Sequence, residues 1–185
     1  MSPGSYIYLG WIGNGEADEG MMEEAKKHIE AVFGVAGKLW NSGDTPPDVF
    51  DPIRRQHSST KILRWLLQQM PVDARKIMAV TDGDLFIPVL TFVFGEAQLG
   101  GKVAVVSTAR LRQDLSGMPL PQRVFRARLL TECVHELGHT FGLTHCSFSR
   151  CVMTRSNTVL DVDAKFSEFC RDCRGLLKDL QRKEG

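Results

Sequence analysis

The segment formed by residues 135–145 constrains this chain more than any other. It reads H-E-x-x-H-x-x-G-x-x-H and holds three of the five histidines. Successive helix residues are about 100° apart, so His135 and His139 would lie on one face, one turn from each other, and reach a single metal ion. Glu136 would lie about 100° round from His135, where its carboxylate meets a metal-bound water without binding the metal. The pattern predicts a catalytic zinc site with its own general base.

Gly142 is predicted to end this helix, because glycine adopts the left-handed conformation found at many helix ends. The chain can then turn, and His145 approaches the metal from outside the helix. Three neutral imidazoles leave the fourth tetrahedral position for water, which is the layout of a catalytic zinc. The H-E-x-x-H pattern alone also occurs as a solvated polar helix face, but a glycine and a third histidine at fixed offsets favour the metal site.

The cysteines form a second group of candidate metal ligands. Cys170 and Cys173 make a tight C-x-x-C pair, and Cys146 and Cys151 make a looser one. Four thiolates in two pairs predict a closed structural zinc site. Two disulfides or inert buried thiols are the alternatives. The absence of a recognisable secretion signal and the paired spacing favour zinc. The remaining cysteine, Cys133, is predicted to be a small buried core residue.

At these residues the sequence resembles the archaemetzincin family. Its hallmarks are an extended metzincin motif, a cysteine directly after the third histidine, a C-x4-C-x-M segment and a distal C-x-x-C. All of them are present here, at His135, Glu136, His139, Gly142, His145, Cys146, Cys151, Met153, Cys170 and Cys173. The resemblance implies a zincin-type metallopeptidase with one catalytic and one structural zinc. It also implies that Met153 packs beneath the three imidazoles, although an ordinary core methionine has the same spacing.

Composition excludes several functional classes. A net charge of +1 gives no indication of a nucleic-acid or anionic-membrane partner. No apolar run approaches the 18 residues that a transmembrane helix needs. The first five residues, 1–5, carry no basic segment, so we read no signal peptide and expect a cytoplasmic location. A monomer acting on a peptide or protein is the simplest expectation.

Periodicity predicts an α/β (α+β, zincin-like) fold. We expect a twisted mixed sheet with flanking helices, a central zinc-binding helix and a small C-terminal subdomain that holds the four-cysteine zinc site. Residues 1–185 would form one catalytic domain, with an upper subdomain of about 1–142 and a lower one of about 143–185. The predicted strands are 6–12, 35–40, 76–81, 89–94 and 102–107, and the predicted helices are 18–34, 58–70, 121–141 and a last one after residue 163.

The predicted reaction is zinc-assisted hydrolysis of a peptide bond through a zinc-bound water that Glu136 activates as general base. The resemblance to zincins further implies that an extended substrate would pair with a sheet edge, for which residues 95–103 are the candidate segment. Two other hypotheses remain open: a non-catalytic zinc-stabilised module that binds peptides or proteins, and a hydrolase of some non-peptide amide. Glu136 favours catalysis over binding alone, because a pure binding site needs no base. The segment 123–128 carries three arginines that are predicted to form a solvated helix face.

Overall fold

The computed structural model describes residues 4–13, 15, 17–41 and 46–184. Residues 1–3, which belong to the segment 1–5 considered above, lie outside these residues, as do residues 42–45. The strands are β1 (Tyr6–Trp11), β2 (Gly37–Trp40), β3 (Phe50–Asp51), β4 (Gln56–Ser58), β5 (Ala74–Thr81), β6 (Leu85–Phe86), β7 (Gly95–Ala97) and β8 (Val103–Ser107). The helices are α1 (Glu19–Phe33), α2 (Ser59–Gln68), α3 (Gln122–Thr140), α4 (Val159–Asp163) and α5 (Arg171–Glu184).

Five strands form the main sheet, in the order β2-β1-β5-β8-β7. The first four run parallel, and β7 pairs antiparallel with β8 at one edge. The predicted mixed sheet with flanking helices is thereby confirmed. A smaller sheet, ordered β3-β4-β6, lies beside it and was not predicted, because strands of two or three residues carry too little periodicity.

Alternation along the central strands divides the core between the two faces of the sheet. Met78 and Val80 of β5 pack with α1 and α3, whereas Ile77 and Ala79 pack with α2. Successive strand side chains point to opposite faces, so an eight-residue strand with no exposed position needs helices on both sides. The core on the α3 side continues past Gly142 into the last 43 residues, through side chains such as Met153 and Leu177. The predicted upper and lower subdomains therefore share one core, and the division between them near residue 142 stays a prediction.

Local capping signals set the ends of the first two helices. Asp18 accepts a hydrogen bond from the Met21 amide at the start of α1, and Gly34 ends that helix with a φ of 65°. Ser58 accepts from the Lys61 amide and begins α2. Side-chain oxygens at these positions satisfy amides that have no partner in the first helical turn. Among the described helices, none combines the length and hydropathy needed to cross a bilayer. A cytoplasmic location stays a prediction.

Two sequence predictions of elements are wrong. The run 89–94 is not a buried strand, since Val89 is 83% exposed and Leu90 is 50% exposed. Pro88 precedes the run and has no amide to donate to a sheet, and residues 90–94 instead line a cleft described below, with Phe94 also packed in the core. The last helix does not start directly after residue 163, because α4 ends there and α5 begins only at Arg171.

Candidate active site and cysteine cluster

Helix α3 carries the first two histidines, and a tight turn supplies the third. The ring centroids of His135 and His139 lie 4.7 Å apart, as expected for residues one helical turn from each other. The helix ends at Thr140, and Gly142 has a φ of 98°, which confirms the predicted glycine-dependent stop. The His145 ring then lies 5.0 Å from that of His139. One imidazole nitrogen from each of the three residues falls within 4.8 Å of the others.

Backbone carbonyls fix the orientation of two of the imidazoles. The Nδ1 atom of His135 lies 2.7 Å from the Val152 carbonyl oxygen, and Nδ1 of His139 lies 2.7 Å from the Leu143 carbonyl oxygen. A carbonyl only accepts hydrogen bonds, so each Nδ1 carries the proton and each Nε2 keeps a free lone pair. These two Nε2 atoms face each other at 3.2 Å. Two lone pairs at that distance repel unless a shared cation lies between them, so the donor set fits a metal ion.

Burial keeps the three imidazoles neutral. It lowers the pKa of His135 well below the ordinary value, and it also lowers the pKa values of His139 and His145. The charges of neighbouring groups, including Arg155 near His145, act in the same direction. A neutral imidazole is the form that binds a metal.

Met153 packs against the helix that carries two of these histidines. The side chain is fully buried, and a Cβ atom built on Gly138 would lie 2.5 Å from the Met153 sulfur. Glycine at position 138 therefore lets the thioether approach the backbone of α3 between His135 and His139. Packing of Met153 beneath all three imidazoles stays a prediction.

Glu136 projects from α3 into the same cleft and is buried. Gly95 of β7 lies against it, since a Cβ at that position would be 2.6 Å from the Glu136 Cγ atom. Burial raises the pKa of Glu136 well above its ordinary value, and the neighbouring carboxylate of Glu132 adds to this effect. A carboxylate with a raised pKa accepts a proton more readily than an exposed one.

The cleft has a volume of about 460 Å³ and lies between two walls. Residues 90–97, which include the edge strand β7, form one wall, and residues 155–157 form the other. The predicted edge segment of 95–103 is too long. Only Gly95–Ala97 forms the edge strand, residues 98–102 make the turn into β8, and Val103 already belongs to that strand.

A buried ion pair lies at the base of the cleft and was missed by the sequence analysis. The Lys165 ammonium lies 3.1 Å from the Glu132 carboxylate and donates to the Thr154 carbonyl at 3.0 Å, and both side chains are almost fully buried. Glu132 precedes Glu136 by one helical turn, so it shares the cleft-facing side of α3. The only available sequence signal was a glutamate one turn before Glu136 on the predicted zinc helix.

The prediction that the arginines of residues 123–128 form a solvated face of α3 is wrong for Arg128. It is 4% exposed rather than solvated, and its guanidinium donates to both Asp163 carboxylate oxygens at 2.7 Å. It also donates to the backbone carbonyls of Leu111 and Gln113. A planar guanidinium forms two parallel bonds with a carboxylate, so Arg128 ties α3 to the end of α4.

The four paired cysteines form one cluster next to the histidine site. Their sulfur atoms all lie within 4.8 Å of one another, and none of the cysteines is in a disulfide. The Phe148 amide donates to the Cys146 sulfur and the Cys170 amide to the Cys151 sulfur, each at 3.4 Å. Amides that point at sulfur stabilise thiolates. The cluster therefore fits one tetrahedral ion better than two separate bridges. Cys133 lies apart from it and is fully buried in the core, as predicted.

Comparison with known proteins finds consistent similarity. The model of "Peptidase family M54" matches residues 56–179. An archaemetzincin from Methanocaldococcus jannaschii is 38% identical over 165 residues, which cover 89% of this chain and 89% of that protein. An archaemetzincin from Archaeoglobus fulgidus is 41% identical over 157 residues, which cover 85% of this chain and 91% of that protein. The crystal structure of the Methanopyrus kandleri archaemetzincin aligns with a TM-score of 0.82 at 31% identity, covering 97% of this chain and 96% of that one.

Proposed function

Because this chain belongs to peptidase family M54, the archaemetzincins, and is therefore a zinc metallopeptidase, we propose how its own residues divide the work. His135, His139 and His145 hold the catalytic zinc, and Glu136 is the general base. The observation that carries this proposal is the convergence of the His135 and His139 Nε2 atoms at 3.2 Å, with each Nδ1 held by a carbonyl. Such carbonyl partners fix the ring orientation and tautomer of metal-binding histidines.

The peptide lies extended along β7. This strand is an edge of the main sheet, so its outer side is free to pair with an added strand. Gly95 brings β7 against Glu136, which places the scissile bond between the edge strand and α3. When bound, the zinc ion supplies a Lewis acid that polarises the scissile carbonyl and makes water more acidic.

Glu136 moves the proton. It takes a proton from the attacking water as the water oxygen bonds to the carbonyl carbon. It then delivers that proton to the departing nitrogen as the C–N bond breaks. Burial suits this role, because the raised pKa of Glu136 lets the carboxyl group both accept and release a proton. The Glu132 carboxylate cannot take the same part, since Lys165 is bonded to it.

We also propose that Cys146, Cys151, Cys170 and Cys173 bind a second, structural zinc ion. The four sulfurs supply a complete tetrahedral donor set, which leaves no position for water or substrate. Chelation is therefore expected to remove the histidine-bound ion before the cysteine-bound one. Each chain with intact ligands and full zinc supply would hold two ions.

Glu136→Gln is the test of the general base. The zinc-loaded protein is incubated with a peptide library, and turnover and zinc content are compared with those of the variant. We expect zinc content to stay unchanged, because Glu136 is not a ligand, and turnover to fall by about 10²–10⁴-fold. Glu19→Gln, at an exposed position on α1, is the matched control. Loss of zinc from Glu136→Gln would make this residue a ligand, and full turnover would remove it as the base.

A further inference from the structure

The cleft wall opposite β7 is made of three consecutive residues whose side chains all carry hydrogen-bond donor groups. Arg155, Ser156 and Asn157 contribute a guanidinium, a hydroxyl and an amide, and all three line the cleft beside His145. We call residues 155–157 the donor segment. Within the described residues, the Ser156 hydroxyl is buried without a partner. The side chains of Arg155 and Asn157 are exposed and make no hydrogen bond or ion pair with any described residue.

The donor segment is held in place at both ends. Before it, the Thr154 carbonyl accepts from Lys165, and the Thr154 hydroxyl donates to the Phe148 carbonyl at 2.6 Å. After it, the Asp161 carboxylate accepts from the backbone amides of Asn157 and Thr158. The backbone is therefore held in place where the three residues line the cleft. Donors held in a fixed geometry bind an acceptor at a lower entropic cost than donors on a free loop.

None of the three glutamates that line the cleft, Glu96, Glu132 and Glu136, forms an ion pair with the Arg155 guanidinium. Glu132 forms its ion pair with Lys165, Glu96 on the opposite wall accepts a hydrogen bond from the Thr60 hydroxyl, and Glu136 lies against Gly95. Several other arginines differ in this respect, since Arg110, Arg126 and Arg128 each form an ion pair with a carboxylate. A guanidinium that faces a substrate cleft with no internal partner is free to bind a carboxylate from outside.

We propose that the donor segment selects substrates that carry a carboxylate next to the scissile bond, with Arg155 as the specificity-determining residue. This inference rests on the proposed function, because the cleft must bind a peptide. The carboxylate can belong to a Glu or Asp side chain or to the C-terminus of a short peptide. Guanidinium, hydroxyl and amide groups are the donors that a carboxylate, which only accepts, requires.

Binding to an alanine-based hexapeptide tests this inference without turnover. The peptide is N-acetylated, one position in turn is Glu, Gln or Lys, and each version is made as the free acid and as the amide. Dissociation constants are measured calorimetrically on zinc-loaded Glu136→Gln protein. We expect Glu to be preferred over Gln at one position, or the free acid over the amide, by about fivefold to tenfold. The first result identifies a side-chain carboxylate as the ligand, and the second identifies the terminal one.

Substitutions of Arg155 test whether its side chain causes this preference for a carboxylate. Arg155→Gln is expected to bring the ratio close to one, and Arg155→Glu is expected to shift the preference toward Lys. Arg64→Gln, an exposed arginine on α2 outside the cleft, should keep the ratio of the parent protein. A missing preference, or one that Arg155→Gln leaves intact, would overturn the inference. Cleavage of the same peptides by protein with Glu136 intact tests the proposed function separately, so an inactive protein with an Arg155-dependent preference would refute only catalysis.

Discussion

Gly138 shows how one residue can couple the catalytic helix to the turn beneath it. The residue is in the middle of α3, where glycine costs about 1 kcal/mol relative to alanine. The cost is offset by a contact that no other residue permits, since a Cβ would lie 2.5 Å from the Met153 sulfur and 3.3 Å from the Phe169 ring. Packing between α3 and Met153, rather than helix propensity, therefore explains the glycine at position 138.

Gly138→Ala is expected to destabilise the protein despite the better helix propensity of alanine. Met153 is fully buried and cannot move away freely, so overpacking should cost about 1–3 kcal/mol and displace the imidazoles above it. Gly175→Ala on α5 is the matched control, because a Cβ there meets nothing within 4 Å. It should stabilise by about 0.5–1 kcal/mol. Thermal melts and peptidase assays of the two variants make the comparison, and equal effects of both changes would contradict this account of Gly138.

At the scale of elements, α3 is tied to the chain that follows it by buried charges. Arg128 bonds to Asp163 at the end of α4, and Glu132 bonds to Lys165 two residues later. These ion pairs hold one face of α3 against residues 153–165, a stretch that includes Met153 and the donor segment. The helix therefore positions both walls of the cleft, through β7 on one side and through these ion pairs on the other.

Lys165→Met is expected to destabilise the fold by about 3 kcal/mol or more, because it leaves the Glu132 carboxylate buried without a partner. Burial already raises the pKa of Glu132, and loss of the ammonium would raise it further. The double variant Lys165→Met/Glu132→Gln should recover part of the loss, since the uncompensated charge is gone. Urea unfolding of the single and double variants measures this, and additive losses would show that the two side chains do not interact.

Asp161→Ala should loosen the start of α4. The Asp161 carboxylate accepts from two amides and from the Thr158 hydroxyl, so its loss should cost about 1 kcal/mol. These bonds lower the pKa of Asp161 below the ordinary 3.8. The unfolded state therefore binds a proton first, and the contribution is full above about pH 3.8 and disappears as pH falls through the lowered pKa. Unfolding of both proteins at pH 7 and pH 3 measures this, and a difference that grows in acid would reverse the assignment.

At the scale of the whole molecule, the histidine and cysteine groups that could hold metal ions are expected to have different structural roles. Helix α5 buries only Leu177 fully, and the cysteine cluster, with Cys170 just before the helix and Cys173 in its first turn, lies at its start. Its far end is held by Glu184, which meets Arg75 and Lys76. By contrast, α3 is packed against the main sheet along its length and does not depend on a metal for its position.

Cys173→Ser is therefore expected to lower the melting temperature more than His145→Ala. Metal-binding free energy becomes folding free energy where little core exists, so losing this ligand should lower Tm by on the order of 10 °C. His145→Ala should lose the more labile zinc and the activity while keeping most of the thermal stability. Melting curves and zinc content of the two variants decide the matter. Unfolding of His145→Ala with Cys173→Ser unaffected would reverse the roles of the clusters.

Features that depend on residues close in sequence were predictable. The histidines of α3 share a face because helical geometry fixes residues one turn apart, and Gly142 ends the helix because few other residues adopt its φ. Asp18 and Ser58 mark helix starts by bonding to amides three residues ahead. The spacing within each cysteine pair also indicated metal ligands, although the two pairs meet only in the fold, with Cys146 and Cys170 24 residues apart. In the helix, its stop and the two caps, the interaction that matters spans a few residues, so the sequence alone determines it.

Features that depend on burial needed the tertiary structure. Nothing local distinguishes Arg128, which is buried and bonded to Asp163, from a solvated arginine on the same helix. The apolar run 89–94 has the composition of a core strand, yet Val89 and Leu90 are exposed and residues 90–94 line a cleft. Lys165 and Glu132 are 33 residues apart and pair only because the chain returns beneath α3. Burial and charge pairing are set by which distant segments meet, and a pattern along the chain does not contain that information.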